Sequence, residues 1–342
     1  MTKVSTIGLD VAKHVFQVHG VDAAGAVVVQ RRLRRSEMVK YFSRLEPVVV
    51  GIEACSTSHY WARELRALGH EVRLIPAQYV KAYVKRQKND AADAAAICEA
   101  VDRPSMRFVP VKTTEQQAAL MLHRTRDLLV RQRTMLINSV RAQLAEFGVI
   151  EARGPGNVWP LAALIESGDP RVPELARRAL LPLTAQLQTI GTQIDTLDDE
   201  ILAWHQASEA SRRLATIPGV GPRIASAIAA SVPDASIFTT GRQFAAWLGL
   251  VPRQRSSGGR PRLGRISKQG DANLRRLLVI GAQSVLRWAR PGKASAWIIA
   301  LKSRRPRKVA AVALANKMAR IAWALMARGE RYRPLRIATA AA

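Results

Sequence analysis

The chain has 342 residues, enough for two or three cores, and 48% of them are hydrophobic, so it can bury what folding needs. Its 53 lysines and arginines against 26 acids give a formal charge of +27, far beyond what solubility requires, and point to a polyanionic partner, nucleic acid first. Two cysteines, Cys55 and Cys98, make neither a disulfide framework nor a zinc set, which fits a reducing cytoplasm. The start of the chain lacks an apolar signal core, and no uncharged run nears the roughly 18 residues of a membrane span.

The first 110 residues alternate strand and helix signals. Val4–Leu9, His14–His19 and Ala26–Leu33 read as three strands joined by tight turns. Ser36 caps a helix to Leu45, Val48–Ile52 is a buried strand, Thr57–Leu68 is a helix ended by Gly69, and Val72–Ile75 is a further strand before Pro76. The predicted order is β-β-β-α-β-α-β-α.

From Thr114 the pattern turns helical. Leu122, Leu129 and Leu136 recur at sevens with Met121, Leu128 and Met135 beside them and Val140, Leu144 and Phe147 prolonging the stripe; after breakers between Gly154 and Pro170, Leu183, Leu187, Ile190, Ile194, Leu197, Ile201 and Trp204 form a heptad seam. Two long antiparallel helices are expected, packed on each other or on a second subunit.

Beyond Ser211 the stretch Ile217-Pro-Gly-Val-Gly-Pro222 resembles a hairpin between two short helices. There Gly219 and Gly221 allow backbone N–H groups near a phosphate and Arg223 supplies charge; an ordinary Pro/Gly connector is the plainer alternative. Pro252–Arg336 holds 22 basic residues against Asp271 and Glu330, with Arg253, Arg255, Arg260, Arg262, Lys268, Arg275 and Arg276 as the candidate phosphate contacts. The expected domains are 1–110, mixed α/β; 111–206, an antiparallel coiled coil; and 207–342, basic and mainly helical with a helix-hairpin-helix-like element.

Four acids suit a metal site. Asp10 ends the first strand, Glu53 ends the fourth, and Asp90 and Asp93 share one face at the start of a helix. Gathered carboxylates repel unless cations neutralise them, and oxygen donors favour Mg²⁺ or Mn²⁺. Singly, each acid also reads as a strand end, a surface acid or helix N-terminal chemistry.

Gly8-Leu-Asp-Val-Ala-Lys13, Gly51-Ile-Glu-Ala54 and Lys88-Asn-Asp-Ala-Ala-Asp-Ala94 resemble the RuvC-like, RNase H-like domain of the DEDD insertion-sequence transposases. Leu248-Gly-Leu-Val-Pro-Arg253, Ser256-Ser-Gly-Gly259, Gly264–Asp271 and Leu274–Leu278 resemble the C-terminal domain of the same family. The resemblance implies a DNA recombinase that binds target and donor duplexes, is guided by a structured bridge RNA from its own element, and assembles as a dimer or tetramer in which carboxylates of one protomer face the serine of another. It also implies Mg²⁺ on Asp10, Glu53, Asp90 and Asp93.

By composition the Ser256–Gly259 loop is a solvated Ser-Gly linker. The resemblance makes it a nucleophile loop, with Ser257 ahead of Ser256 and Ser267 third. Two competing functions stand beside this one: a hydrolytic junction nuclease using the same metals and water, and a nucleic-acid scaffold whose acids are structural.

Overall fold

A computed structural model describes residues 3–84 and 89–333, so Lys88 of the third motif lies outside the described residues. The chain divides into two units, Met1–Thr113 with Val232–Ile237, and Thr114–Ser231 with Phe238–Ala342.

In the first unit β1 (Thr6–Val11), β2 (Val15–Val21), β3 (Val27–Arg34), α1 (Met38–Phe42), β4 (Val49–Glu53), α2 (Ser58–Ala67), β5 (Glu71–Ile75), α3 (Ala77–Val80) and α4 (Asp90–Val101) follow in order. The five strands form a mixed sheet in the order β3-β2-β1-β4-β5. Pairing is antiparallel among the first three and parallel from β1 to β4 and β4 to β5. The predicted order of elements is present, with short α3 added. Before α1, Glu37 Oε2 rather than Ser36 accepts the exposed N–H of Arg34, at 2.6 Å.

Side chains alternate across a strand, and this parity positions the unit's chemistry. Ile7 and Leu9 of β1 and Val50 and Ile52 of β4 face one core with Phe16, Phe42, Trp61 and Leu65. Gly8 and Gly51, cross-strand partners in the parallel register, face the other way, under α4. A Cβ on Gly8 would lie 2.1 Å from the Ala94 carbonyl oxygen and 2.4 Å from the Cys98 nitrogen; one on Gly51 would lie 2.9 Å from Val101 Cβ. Only glycine lets the α4 backbone come so close, and the Cys98 thiol completes the seat against the Thr6 carbonyl at 3.8 Å.

The second unit contains α5 (Thr114–Ala145), α6 (Trp159–Ser167), α7 (Glu174–Ala207), α8 (Glu209–Leu214), α9 (Pro222–Ser231), α10 (Gly241–Trp247), β6 (Pro252–Gln254), β7 (Leu263–Ile266), α11 (Ala272–Trp288), α12 (Ala296–Arg304) and α13 (Arg307–Arg328). Helices α5 and α7 run antiparallel. Ile137, Val140 and Leu144 share a cluster with Leu180 and Leu187 at one end, and Arg126 makes a two-pronged contact with Asp198 toward the other, at 2.6 and 2.7 Å. The seven-residue leucine row of α5 is half-buried and its methionine neighbours are out: Met121 is 64% and Met135 69% exposed. The breaker-rich stretch also holds a helix. Pro160 suits the first turn of α6, and Gly168, at φ 74°, ends it.

Helix α9 is buried all round, from Ile224 to Ser231, because its small residues admit neighbours on every side. Helix α13 is long and apolar enough to cross a membrane by length and composition; its alanine-rich face is buried against α10 and α11, as in a core helix.

Placing α4 by glycine contact has a measurable consequence. Gly8→Ala should cost about 1–3 kcal/mol in urea unfolding, the usual penalty for overpacking. Gly191→Ala in α7, where nothing lies within 4 Å of the added Cβ, should be neutral or gain up to about 1 kcal/mol from helix propensity.

Candidate active site

Parity that turns Gly8 and Gly51 under α4 sends Asp10 and Glu53, two residues further along each strand, to the same face at the sheet's C-terminal edge. Helix α4 begins there. Asn89 caps it, its Oδ1 accepting the Ala92 N–H at 2.8 Å, and Asp90 and Asp93 occupy its first turn. The capping alternative therefore falls to Asn89, and the two aspartates are not needed for it.

Asp10 registers the gathering. Its pKa is raised from 3.8 to about 6, first by burial and then by the charges of Asp90, Asp93 and Glu53, against a lowering hydrogen bond from the Val11 backbone. All four acids thus share one electrostatic site, in which Asp10 and Asp93 are half-buried and Asp90 exposed. Among the described residues no three acidic, histidine or cysteine side chains are close enough to hold one ion, so the cluster is gathered but open. Its donors are all carboxylate oxygens. They suit a hard divalent cation, which would offset both the burial and the mutual repulsion that raise Asp10.

The serine loop is the tip of a hairpin that sequence reading missed. Strands β6 and β7 pair antiparallel, but their residues are arginine-rich and mostly exposed, so no apolar alternation announces them. At the tip Gly258 and Gly259 have φ 56° and 73°, and the Arg260 N–H returns to the Ser257 carbonyl at 3.1 Å, a two-residue hairpin turn needing positive φ at both centres. The two serines differ. Ser256 Oγ accepts hydrogen bonds from Gln254 Nε2 at 3.0 Å and the Arg262 N–H at 3.1 Å, while the Ser257 hydroxyl makes none to a described residue. Ser267 is buried, its backbone N–H held by the Val251 carbonyl.

The basic residues also sort by partner. Arg253 donates to the Ser267 carbonyl, and Arg275 to those of Leu248 and Gln269 at 3.0 and 2.8 Å, so both brace the base of the hairpin. Beside them Gly249 and Gly270 pack backbone on backbone, and Lys268 has a left-handed φ of 57°. Arg276 binds Asn273 and Asp127. Exposed Arg255, Arg260, Arg262 and Lys268 have no side-chain hydrogen bond or ion pair to a described residue.

In the 215–221 hairpin Gly219 has an internal use. A Cβ there would meet Val285 at 2.6 Å and the Gly281 carbonyl at 2.8 Å. Gly221 is exposed with open space around it, and Arg223 stands 3.4 Å from Asp198. Sequence reading missed the Arg126–Asp198–Arg223 set and the buried His123–Ser226 pair, 3.1 Å apart; only helical spacing hints at them.

The raised Asp10 pKa fixes a sign. Between pH 3.8 and about 6 the folded chain holds a proton that the unfolded chain has lost, so stability falls as pH rises through that window. Without divalent ions, Asp10→Asn should melt higher than the native protein at pH 7 and match it near the bottom of the window. Equal melting temperatures at pH 7 would show that the buried charge of Asp10 does not oppose the fold.

The two halves of the chain match known proteins separately and in order. Residues 7–148 match the IS110-type DEDD transposase domain, and residues 211–296 match the transposase IS116/IS110/IS902 family. The chain is 52% identical to a probable family 20 transposase of Pseudomonas aeruginosa over 97% of its length and 99% of the relative's. It is 49% identical to a putative transposase of Sinorhizobium fredii (97% and 86%) and 42% identical to the transposase for insertion sequence element IS1111A of Coxiella burnetii (97% and 92%). With a match at each end and relatives alike over nearly the whole chain, the protein belongs to the IS110/IS116 family of transposases.

Proposed function

We propose that this chain is the recombinase of an insertion element, cutting and rejoining target and donor DNA through a covalent serine intermediate under the guidance of a structured RNA from the same element. The observation that carries the reading is the placement of Asp10 and Glu53 at the ends of two paired strands, on the face where α4 begins with Asp90 and Asp93. In that reading the four acids hold Mg²⁺ or Mn²⁺, which when bound supplies Lewis-acid stabilisation of phosphoryl charge.

The remaining chemistry is assigned to side chains of the hairpin. The Ser257 oxygen attacks phosphorus, forming a phosphoserine diester as one phosphorus–oxygen bond to a sugar breaks; the serine gives up its proton and the departing sugar oxygen gains one. Attack by a hydroxyl of the incoming strand reverses these steps, so the number of phosphodiester bonds is kept. Arg255, Arg260 and Arg262 are free to hold the phosphoryl oxygens, and Ser256 fixes the turn that presents Ser257. Two features support the wider reading: the charge of +27 for nucleic acid, and the exposed Met121, Leu128 and Met135 for a dimer or tetramer.

Ser257→Ala should bind DNA and RNA like the native protein yet yield no protein–DNA adduct on a nicked substrate, whereas Ser256→Ala should still form adduct, more slowly. Adduct from Ser257→Ala would discard the assignment, and strand exchange by Asp93→Ala would discard the metal site. RNA recovered with the protein from its host should be one discrete species encoded beside the gene; random fragments would count against guidance.

Salt dependence separates the two groups of arginines. Replacing Arg260 or Arg262 should reduce the log–log slope of duplex binding by about 0.9 for each phosphate no longer neutralised. Replacing Arg253 or Arg275 should instead lower thermal stability, because each leaves backbone carbonyls without their donors. Equal behaviour of the two groups would contradict the division drawn from their partners.

A further inference from the structure

The tryptophans of the second unit's C-terminal part have different fates. Trp247 stacks on Phe244, with centroids 5.7 Å apart and planes 19° apart. Trp297 is covered by the Lys317 ammonium 4.2 Å from its ring centre, and the Trp323 indole donates to the Phe238 carbonyl at 3.1 Å. Trp288, the last residue of α11, is 66% exposed, and among the described residues its indole N–H meets no acceptor.

A lone exposed aromatic is ordinary, but the surroundings of this one are not. Residues 287–308 contain eight lysines and arginines and no acid. Arg287 lies 5.4 Å from the ring centre, and exposed Arg290 and Lys293 follow in the next turn of chain. Lys302 donates to the Ala289 carbonyl at 3.0 Å, which brings the end of α12, with exposed Arg304 and Arg305, beside the end of α11. Helix α13 then opens with Arg307 and Lys308, cations at the end of a helix where its dipole disfavours them, so they do not serve the helix. Ile280, eight residues before Trp288 on α11, is 53% exposed.

A second protein meeting this patch would have to bring its own acids, and this chain has few to offer a second copy. A nucleic-acid strand brings phosphates for the cations and, where unpaired, a flat base for the indole. We infer that Trp288 is a stacking platform for an unpaired base, flanked by the basic residues at the ends of α11 and α12 and the start of α13, and that it serves single-stranded or looped segments of the nucleic acid. This rests on the nucleic-acid reading above and adds to it a site apart from the serine hairpin's turn. An intact duplex offers it no free base face along its length, because its bases are already stacked on one another.

The test uses the full-length protein and labelled oligonucleotides of one sequence, single-stranded and duplex. Trp288→Ala should weaken single-strand binding about tenfold or more, within the range for a stacked base, with the salt slope and duplex affinity unchanged. Trp288→Phe should recover most of the loss. Arg290→Gln with Lys293→Gln should flatten the single-strand slope by about 0.7 for each phosphate no longer neutralised. A fluorescent adenine analogue in the strand should be quenched by the native protein and less so by Trp288→Ala.

Unchanged single-strand affinity in Trp288→Ala would overturn the platform, as would an equal loss on duplex. A shift in oligomeric state on size exclusion would assign the face to a second copy instead. A native protein that bound neither form would sink the nucleic-acid reading itself, which is a different failure from a Trp288 variant that binds both as the native chain does.

Discussion

Two glycines under one helix govern the first unit. Because Gly8 and Gly51 carry no side chains, α4 lies against β1 and β4 with its backbone nearly touching the sheet. Strand parity then does the rest: the face that carries the glycines also carries Asp10 and Glu53, and the helix that rests on the glycines starts with Asp90 and Asp93. A helix held a side chain's thickness further away would carry its two aspartates off with it. The close approach makes a good helix seat and a poor place for four negative charges, and the pKa of Asp10 is raised by burial first and by its three acidic neighbours second. Folds tolerate such conflict where function requires it.

The serine hairpin follows the opposite plan. Its base is over-determined by Arg253, Arg275 and the backbone contacts of Gly249 and Gly270, and its tip by little beyond the Ser256 hydrogen bonds and one two-residue turn. A rigid base with an exposed tip can present a hydroxyl to a polymer too large to enter a cavity. It also explains why arginines in one short stretch have different duties. Those facing carbonyls are structural donors, and those left in solvent meet no side-chain partner among the described residues.

How much of this was legible follows from the signals that were strong. Period-two runs and Gly or Pro punctuation marked the strands of the first unit to within a residue or two, and the acids at strand ends stood out against a chain poor in acids. What was hidden depends on partners distant in sequence. Nothing local distinguishes Arg253, bound to a carbonyl 14 residues away, from Arg255, whose side chain meets no acceptor among the described residues, and nothing marks Gly219 as the residue that meets Gly281. The β6–β7 hairpin carried no apolar alternation, since its strands bury almost nothing. The apolar stripe read in α5 found the helix and, in Val140 and Leu144, the end of its buried face, but its leucine row is only half-buried where Ala119, His123 and Ile137 are buried instead.

The electrostatics of the chain are local in effect. A net charge of +27 would by itself favour ionised carboxylates everywhere, yet Asp10 is shifted toward its neutral form. Screening resolves the difference: at physiological ionic strength charges beyond about 8 Å count for little, and what remains is burial plus three neighbouring acids. The same range limit applies to the basic C-terminal part, where Arg290 or Lys293 can act only on a phosphate brought to its own surface. A chain can therefore keep an acidic cluster and a basic surface without either cancelling the other, provided that each is built from groups a few ångströms apart.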